Sequence, residues 1–367
     1  MTKLTDYFER VAIINRPDRP ERKQNILNEL KKIGLTENDV TFTKTFTPDN
    51  VVVPDYWVAT PGAYCCFKSH LHALEQAQRD NVSNILLLED DAIFCDSFNE
   101  GLKYVIRDNC LHRTDYDILY LGGQHIKQEL GVPIPYSKGL VEAFNVNRTH
   151  AYAVSNRMYE PLIQYLRNKR NWCQKPKEAH IDYALGELTM SGFYKVYAAC
   201  PFLVGQREGT SDVSAQEVDE HWWNPGHQGF INLPFPEAPQ LKIKYVWSAN
   251  GFSGIYPAYK NGKIVSYRFN LQAPFVVQIS SAYHDRLHYY DIEVKTEDRT
   301  NATNFLSIDD ANNAFYDKSF LRLPPGVSGY KKLVAPLGNL FIAKCQGGNI
   351  GGNVFFEISN IRENLSK

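Results

Sequence analysis

The chain has no run of about 18 apolar residues, no C-x-x-C pair, and no surplus of either charge. The first absence leaves no segment able to cross a bilayer as a helix. The second removes the spacing used by zinc ribbons and dithiol redox sites. The third concerns partners: Lys+Arg 40 against Asp+Glu 41 gives a formal charge of -1, which offers a polyanion no electrostatic footprint. No nucleic-acid partner and no membrane span are therefore expected. Internal repeats and low-complexity stretches are also missing. Met1 to Asp6 carries no apolar stretch of the signal-peptide kind. The cysteines, 65, 66, 95, 110, 173, 200 and 345, are odd in number. Reduced thiols in a cytoplasmic protein are the expectation.

What is present divides into two textures. A length of 367 residues exceeds what one hydrophobic core usually organises, and 43% apolar with 22% charged residues is a globular balance. Over residues 1–223 short apolar runs alternate with amphipathic stretches, which predicts an α/β domain with a mainly parallel sheet. Phe8 to Asn15 reads as a first strand, and Glu21 to Ile33, Cys66 to Gln78 and Ile181 to Met190 as helices. Ile85 to Leu88 reads as a central strand buried on both faces. Residues 224–240 hold Pro225, Pro234, Pro236 and Pro239, a linker expected to exclude regular elements. Residues 241–367 show period-two runs between Gly, Asn and Asp turns, which predicts an all-β, sandwich-like accessory domain. Acceptor binding or assembly contacts are its expected roles, and an oligomer is left open. The Gly-rich run Gly347 to Gly352 precedes a strand and not a helix, so it reads as a turn and not a phosphate cradle.

The chemistry concentrates in Ile85-Leu86-Leu87-Leu88-Glu89-Asp90-Asp91. A buried strand ending in three carboxylates crowds like charge unless solvent or a cation compensates. Ligands of open α/β sheets sit beyond the carboxyl ends of strands. If the backbone stays extended, Glu89 and Asp91 share one side and Asp90 takes the other. Two oxygens on one side suit a hard divalent cation that also takes diphosphate oxygens. Sugar transfer from a nucleotide needs such a cation, because the leaving diphosphate gains negative charge. A solvated acidic junction without a role is the plain alternative.

At this point the sequence resembles the family 25 glycosyltransferases, which include lipopolysaccharide and collagen galactosyltransferases. Ile14-Asn15-Arg16-Pro17-Asp18-Arg19-Pro20-Glu21-Arg22 is similar to the family's opening I-N-L-x-x-R-x-x-R. Gly62-Ala63-Tyr64-Cys65-Cys66-Phe67-Lys68-Ser69-His70 is similar to G-x-x-G-C-x-x-S-H. Leu88-Glu89-Asp90-Asp91 follows at the expected distance. After it come Tyr116 to Leu121, Thr149 to Ser155, His180-Ile181-Asp182, and a segment from Gln206 to Ser211-Asp212. The matches keep the family's order over roughly residues 10–215. Arg16 and Cys65 depart from the pattern, standing where the family has Leu and Gly. The resemblance implies a GT-A-like nucleotide-sugar-binding domain, Mn²⁺ or another divalent cation, inversion at the anomeric carbon, and a UDP-sugar donor, UDP-galactose first. A glycan or protein hydroxyl would be the acceptor, lipopolysaccharide among the glycans.

Each candidate has a plainer role beside it. Arg19 and Arg22, in the turn after the first strand and the first helical turn, could fork onto donor phosphate or simply be solvated. Asn15 could bond the base or ribose, or satisfy its own turn. Ser69 and His70 are read as donor-site or scaffold residues; His70 also suits a core histidine or a metal ligand. Glu89 and Asp91 are the expected metal ligands, with Glu89 and Asp90 also placed against the donor. Asp117, read as closing the next strand, is expected to line the donor pocket. Gln206 and Asp212 are expected to shape a loop over the site. Inversion requires a base: Asp182 is the candidate, with Glu178 and His180 as rivals, although a carboxylate in a first helical turn also stabilises the helix dipole. A transferase-like protein that binds carbohydrate without turnover is the competing reading. A metal-dependent phosphohydrolase is a weaker third, for want of a nucleophile motif.

Overall fold

The computed structural model describes residues 4–107, 115–126, 133–137, 139–168, 175–176, 179–211, 213, 216–222, 233–235, 238–248, 252–272, 275–281, 288–298, 304–310, 321–323, 329–335, 339–346 and 353–363. Glu178, Asp212 and the Gly347 to Gly352 run lie outside the described residues. The chain divides into two compact units, Met1–Ile126 with Tyr136–Trp223, and Lys127–Pro135 with Asn224–Lys367.

The first unit opens with β1 (Arg10–Ile14), α1 (Pro20–Lys32), β2 (Thr41–Phe42), α2 (Pro61–Arg79), β3 (Asn84–Glu89), β4 (Ala92–Phe94) and α3 (Phe98–Leu102). Then come β5 (Ile118–His125), β6 (Ile134–Ser137, of which Tyr136 and Ser137 fall in this unit), β7 (Leu140–Glu142), β8 (Val146–Ser155) and α4 (Asn156–Arg167). It closes with α5 (Ile181–Thr189), β9 (Val196–Ala199), β10 (Val204–Gln206), β11 (Gly209–Thr210) and β12 (Glu217–Val218). Eight strands form one sheet in the order β2-β1-β3-β8-β5-β9-β7-β6.

This sheet is mixed, which corrects the expectation of a mainly parallel one. β1 runs parallel to β2 and β3, and β5 to β9, but β8 is antiparallel to both β3 and β5. A parallel neighbour needs a long crossover, usually a helix. Among the described residues no helix separates β5 from β8, so β8 comes back antiparallel.

β3 is held from both faces: Ile85, Leu86, Leu87 and Leu88 are all 1% exposed or less. Burying each such side chain contributes about 1.5–3 kcal/mol, so the strand that delivers the carboxylates is fixed firmly. α2 starts at a cap, the Thr60 hydroxyl accepting from the Ala63 N–H at 3.1 Å with Pro61 in the first turn. Cys65 therefore sits a full turn inside the helix and does not touch how it begins.

The second unit consists of β13 (Leu233–Phe235), β14 (Ala238–Ser248), β15 (Phe252–Lys260), β16 (Lys263–Gln272), β17 (Phe275–Ser281) and β18 (His288–Asp298), followed by β19 (Asn304–Asp310), β20 (Leu321–Leu323), β21 (Gly329–Ala335), β22 (Asn339–Gln346) and β23 (Asn353–Glu363). They make a six-stranded sheet, β13-β14-β17-β22-β19-β20, and a five-stranded one, β15-β16-β23-β18-β21. Every pairing described in them is antiparallel. The proline-rich stretch is not free of structure: Pro234 lies within β13. The strand tolerates it because β13 is an edge, and its pairing shifts register at Pro234/Phe235.

Candidate active site

A cleft of about 660 Å³ opens where β1 and β3 end, lined by Ile14, Arg16, Arg19, Arg22, Cys66, Ser69, Glu89, Asp90, Asp91, Arg148 and Gln206 among others. The backbone turns directly after β3, so the three carboxylates do not alternate as an extended strand would make them. Each instead has its own surroundings.

Asp90 faces the end of β1 and the start of α1. Asn15 Nδ2 donates to its Oδ2 at 2.9 Å, and Arg22 approaches Oδ1 at 3.3 Å. Burial pushes this carboxyl up, against the pull of Asn15 and Arg22. Arg22 also donates to the Thr210 carbonyl at 2.5 Å, pinning the segment after β10 across the cleft. Arg19 is the residue before α1, with a loose 3.7 Å approach to Glu21.

Glu89 takes the Thr149 hydroxyl at 2.6 Å and lies 3.3 Å from His70 Nε2. Burial works against its charge, but the His70 ring and the Thr149 hydroxyl outweigh it and hold the carboxyl down at about 2. His70 is fully buried, its Nδ1 3.1 Å from the Tyr152 hydroxyl, and its Nε2 has no aligned hydrogen-bond partner.

Asp91 is the unbalanced member. Its Oδ2 accepts from Gln206 Nε2 at 2.8 Å, while its Oδ1 is buried and has no partner among the described residues. Burial, then Glu89 and Asp90, push it up to about 7. Gln206 reaches it because β10 pairs antiparallel with β4, setting Gln206 opposite Ala92. The Arg207 N–H donates to the Asp91 carbonyl at 2.7 Å, which ties the two segments again.

Ser69 serves the scaffold. Its hydroxyl donates to the Cys65 carbonyl at 2.8 Å and accepts from the Phe46 N–H at 3.1 Å. Asp182, in the first turn of α5, accepts from its neighbour's N–H at Tyr183 (2.8 Å) and from the Arg148 N–H (3.3 Å). Arg148 sits at φ 78, a left-handed conformation costly for a side chain of this size. Asp182 thus braces the strained residue just before Thr149, and is not itself among the cleft-lining residues. His180 is the residue before α5.

Asp117 corrects an expectation. It precedes β5 and does not close a strand. β5 begins beside the amino-terminal end of β3, as the pairings of Ile118 with Val154 and of Val154 with Ile85 show, so Asp117 lies at the sheet end opposite Glu89. It holds Arg157 at 3.0 Å and the Lys195 N–H at 2.8 Å, and it does not line the cleft. Thr149 and Cys66 were given no role from the sequence. The one readable signal was Cys66's position four residues before His70, on the same helix face.

Residues 58–182 match the family model described as Glycosyltransferase family 25 (LPS biosynthesis protein). Over this segment the chain is similar to glycosyltransferase family 25. The mouse "Inactive glycosyltransferase 25 family member 3" is 25% identical over 162 residues, 40% of this chain and 27% of that protein. The Xenopus laevis "Procollagen galactosyltransferase 1-A" is 29% identical over 181 residues, 43% of this chain and 30% of that protein. The match thus spans under a third of either relative. A solved carbohydrate-binding structure, CBM51 from Clostridium perfringens with methyl-galactose, covers 32% of this chain and 94% of that one at 15% identity and a TM-score of 0.23, too loose a likeness to carry an argument. Among the described residues no helix is long and apolar enough to cross a membrane.

Proposed function

We propose that this protein is a family 25 glycosyltransferase, metal-dependent and inverting, with a GT-A-like catalytic half, moving a sugar from a UDP-sugar to a hydroxyl of a glycan or protein. Galactose is the first donor to test, and the cytoplasm the expected compartment. The observation that carries the reading is Asp91. A buried oxygen without a partner, in a carboxyl crowded by two others, leaves negative charge that a cation would balance.

Glu89 and Asp91 are the groups to hold Mn²⁺ or a similar ion. Such an ion, when bound, supplies Lewis-acid stabilisation to the departing diphosphate. Arg16, Arg19 and Arg22 line the same cleft and suit the diphosphate's charge. Asn15 and Arg22 keep Asp90 turned aside, and Ser69 fixes the loop at Phe46. In the transfer itself the acceptor oxygen attacks the anomeric carbon from the face away from the diphosphate. Its proton passes to a carboxylate, the carbon–oxygen bond breaks, and the electron pair leaves with the diphosphate. Asp182 takes the base role in this reading, each of its oxygens keeping acceptor capacity beyond one backbone N–H. The second unit is assigned acceptor binding.

The test is release of UDP from a panel of UDP-sugars, with and without Mn²⁺, by the wild type and Asp91→Asn. Mn²⁺-dependent release lost in the variant supports the reading; equal release by both rejects it. One observation favours a second reading, carbohydrate binding without turnover: Asp182 is committed to the backbone N–H groups of Arg148 and Tyr183 and is not itself among the cleft-lining residues. Tight UDP-sugar binding with no release under any acceptor would select it.

A further inference from the structure

Three donor types meet behind the acidic triplet. Cys66 and His70 lie one turn apart on the same face of α2, and that face looks onto the end of β3. The Cys66 sulfur, a His70 ring nitrogen and a Glu89 oxygen all lie within 4.8 Å of one another. One observation besides this closeness points to a ligand. His70 Nε2 is fully buried, aimed at Glu89 Oε1 3.3 Å away, and makes no aligned hydrogen bond. In the tautomer whose Nδ1–H donates to the Tyr152 hydroxyl, Nε2 turns a lone pair toward Glu89, and a cation between them would take both.

We propose that Cys66, His70 and Glu89 form a transition-metal site of mixed sulfur, nitrogen and oxygen donors, suited to Zn²⁺ and distinct from a hard-ion site that uses Asp91. Tetrahedral zinc at its usual bond lengths sets donors about 3.4–3.8 Å apart, a spacing the His70–Glu89 pair at 3.3 Å already approaches. The Cys66 thiol gives its proton to solvent as the sulfur–metal bond forms. Tyr152 fixes the ring through Nδ1, the outer contact that metal-ligating histidines usually have. Three protein donors leave a fourth position open to the cleft. The inference goes beyond the transfer reading and shares only Glu89 with it.

The full chain, stripped with chelator and titrated with Co²⁺ then Zn²⁺, tests this directly. One equivalent of Co²⁺ should give a sulfur-to-cobalt charge-transfer band that Zn²⁺ displaces. Cys66→Ser should lose the band. Tyr152→Phe, which keeps the ring packing, should weaken Zn²⁺ binding by about 10–100-fold. Asp91→Asn should keep the band whatever it does to transfer, so failure of the transfer reading stays separable. No band in the wild type, or one that survives in Cys66→Ser, overturns the site.

Discussion

Asp91 and Asp117 stand at opposite ends of one sheet, each beside a strand terminus and each within reach of donors. Asp117 is saturated: Arg157 takes one oxygen and the Lys195 N–H the other. Asp91 has Gln206 on one oxygen, no partner among the described residues on the second, and two carboxylates for neighbours. The same side chain is scaffold where its charge is met and a candidate for chemistry where it is not. Residue type is common to both; the difference lies in what the fold brings alongside.

The largest effect that would sharpen this contrast is on turnover. Asp91→Asn should lower Mn²⁺-dependent transfer by about a thousandfold or more, several kcal/mol of lost transition-state stabilisation, with an unchanged circular dichroism spectrum. Near-normal turnover would break the comparison from the cleft side. Asp117→Asn should behave in the opposite sense. Losing hydrogen bonds to a charged group should cost about 1.5–3 kcal/mol in denaturant melts, while kcat and KM for the donor stay within about twofold. A collapse of donor affinity in that variant would break it from the other side.

A smaller effect should appear in pH dependence without metal. Asp91's carboxyl is raised from its ordinary 3.8 to about 7 in the folded protein. Between those values the native state holds a proton that the unfolded chain has released, so its contribution is present below about pH 4 and is lost as pH rises through 7. Asp91→Asn removes that loss. Relative to the metal-free wild type it should therefore gain a few degrees of Tm between pH 5 and 8 and little at pH 4, and added Mn²⁺ should narrow the gap. A gap that is independent of pH would contradict the assignment. Burial pushes His150 down to about 4, which has the reverse sign: stability is lost as pH falls from about 6.5 toward 4. The acid limb should thus survive in Asp91→Asn.

Much of the frame was readable because it is local. Four consecutive aliphatics mark β3, and i, i+3, i+4 spacing marks α1, α2 and α5, whose observed bounds differ from the expected ones mainly at their ends. The acidic triplet's position at the end of a buried strand was readable for the same reason. Features that depend on topology were not. β8's direction goes with a connection that holds no helix among the described residues, and Pro234's tolerance with its strand being an edge. Gln206 meets Asp91 across 115 positions through the β4–β10 pair. Asp117 was misplaced because its neighbours show a strand without showing which end of the sheet it begins at. Thr149 reaches Glu89 past a strained Arg148, a backbone detail that no composition announces.

The central claim is that the uncompensated carboxylates at the end of β3 take a divalent cation together with a nucleoside diphosphate. Calorimetric titration of UDP into the full chain, with Mn²⁺ or with chelator, measures this without requiring turnover. The account predicts UDP binding that depends on Mn²⁺ in the wild type and is lost in Asp91→Asn. Equal binding under chelator, or equal binding by the variant, would contradict it.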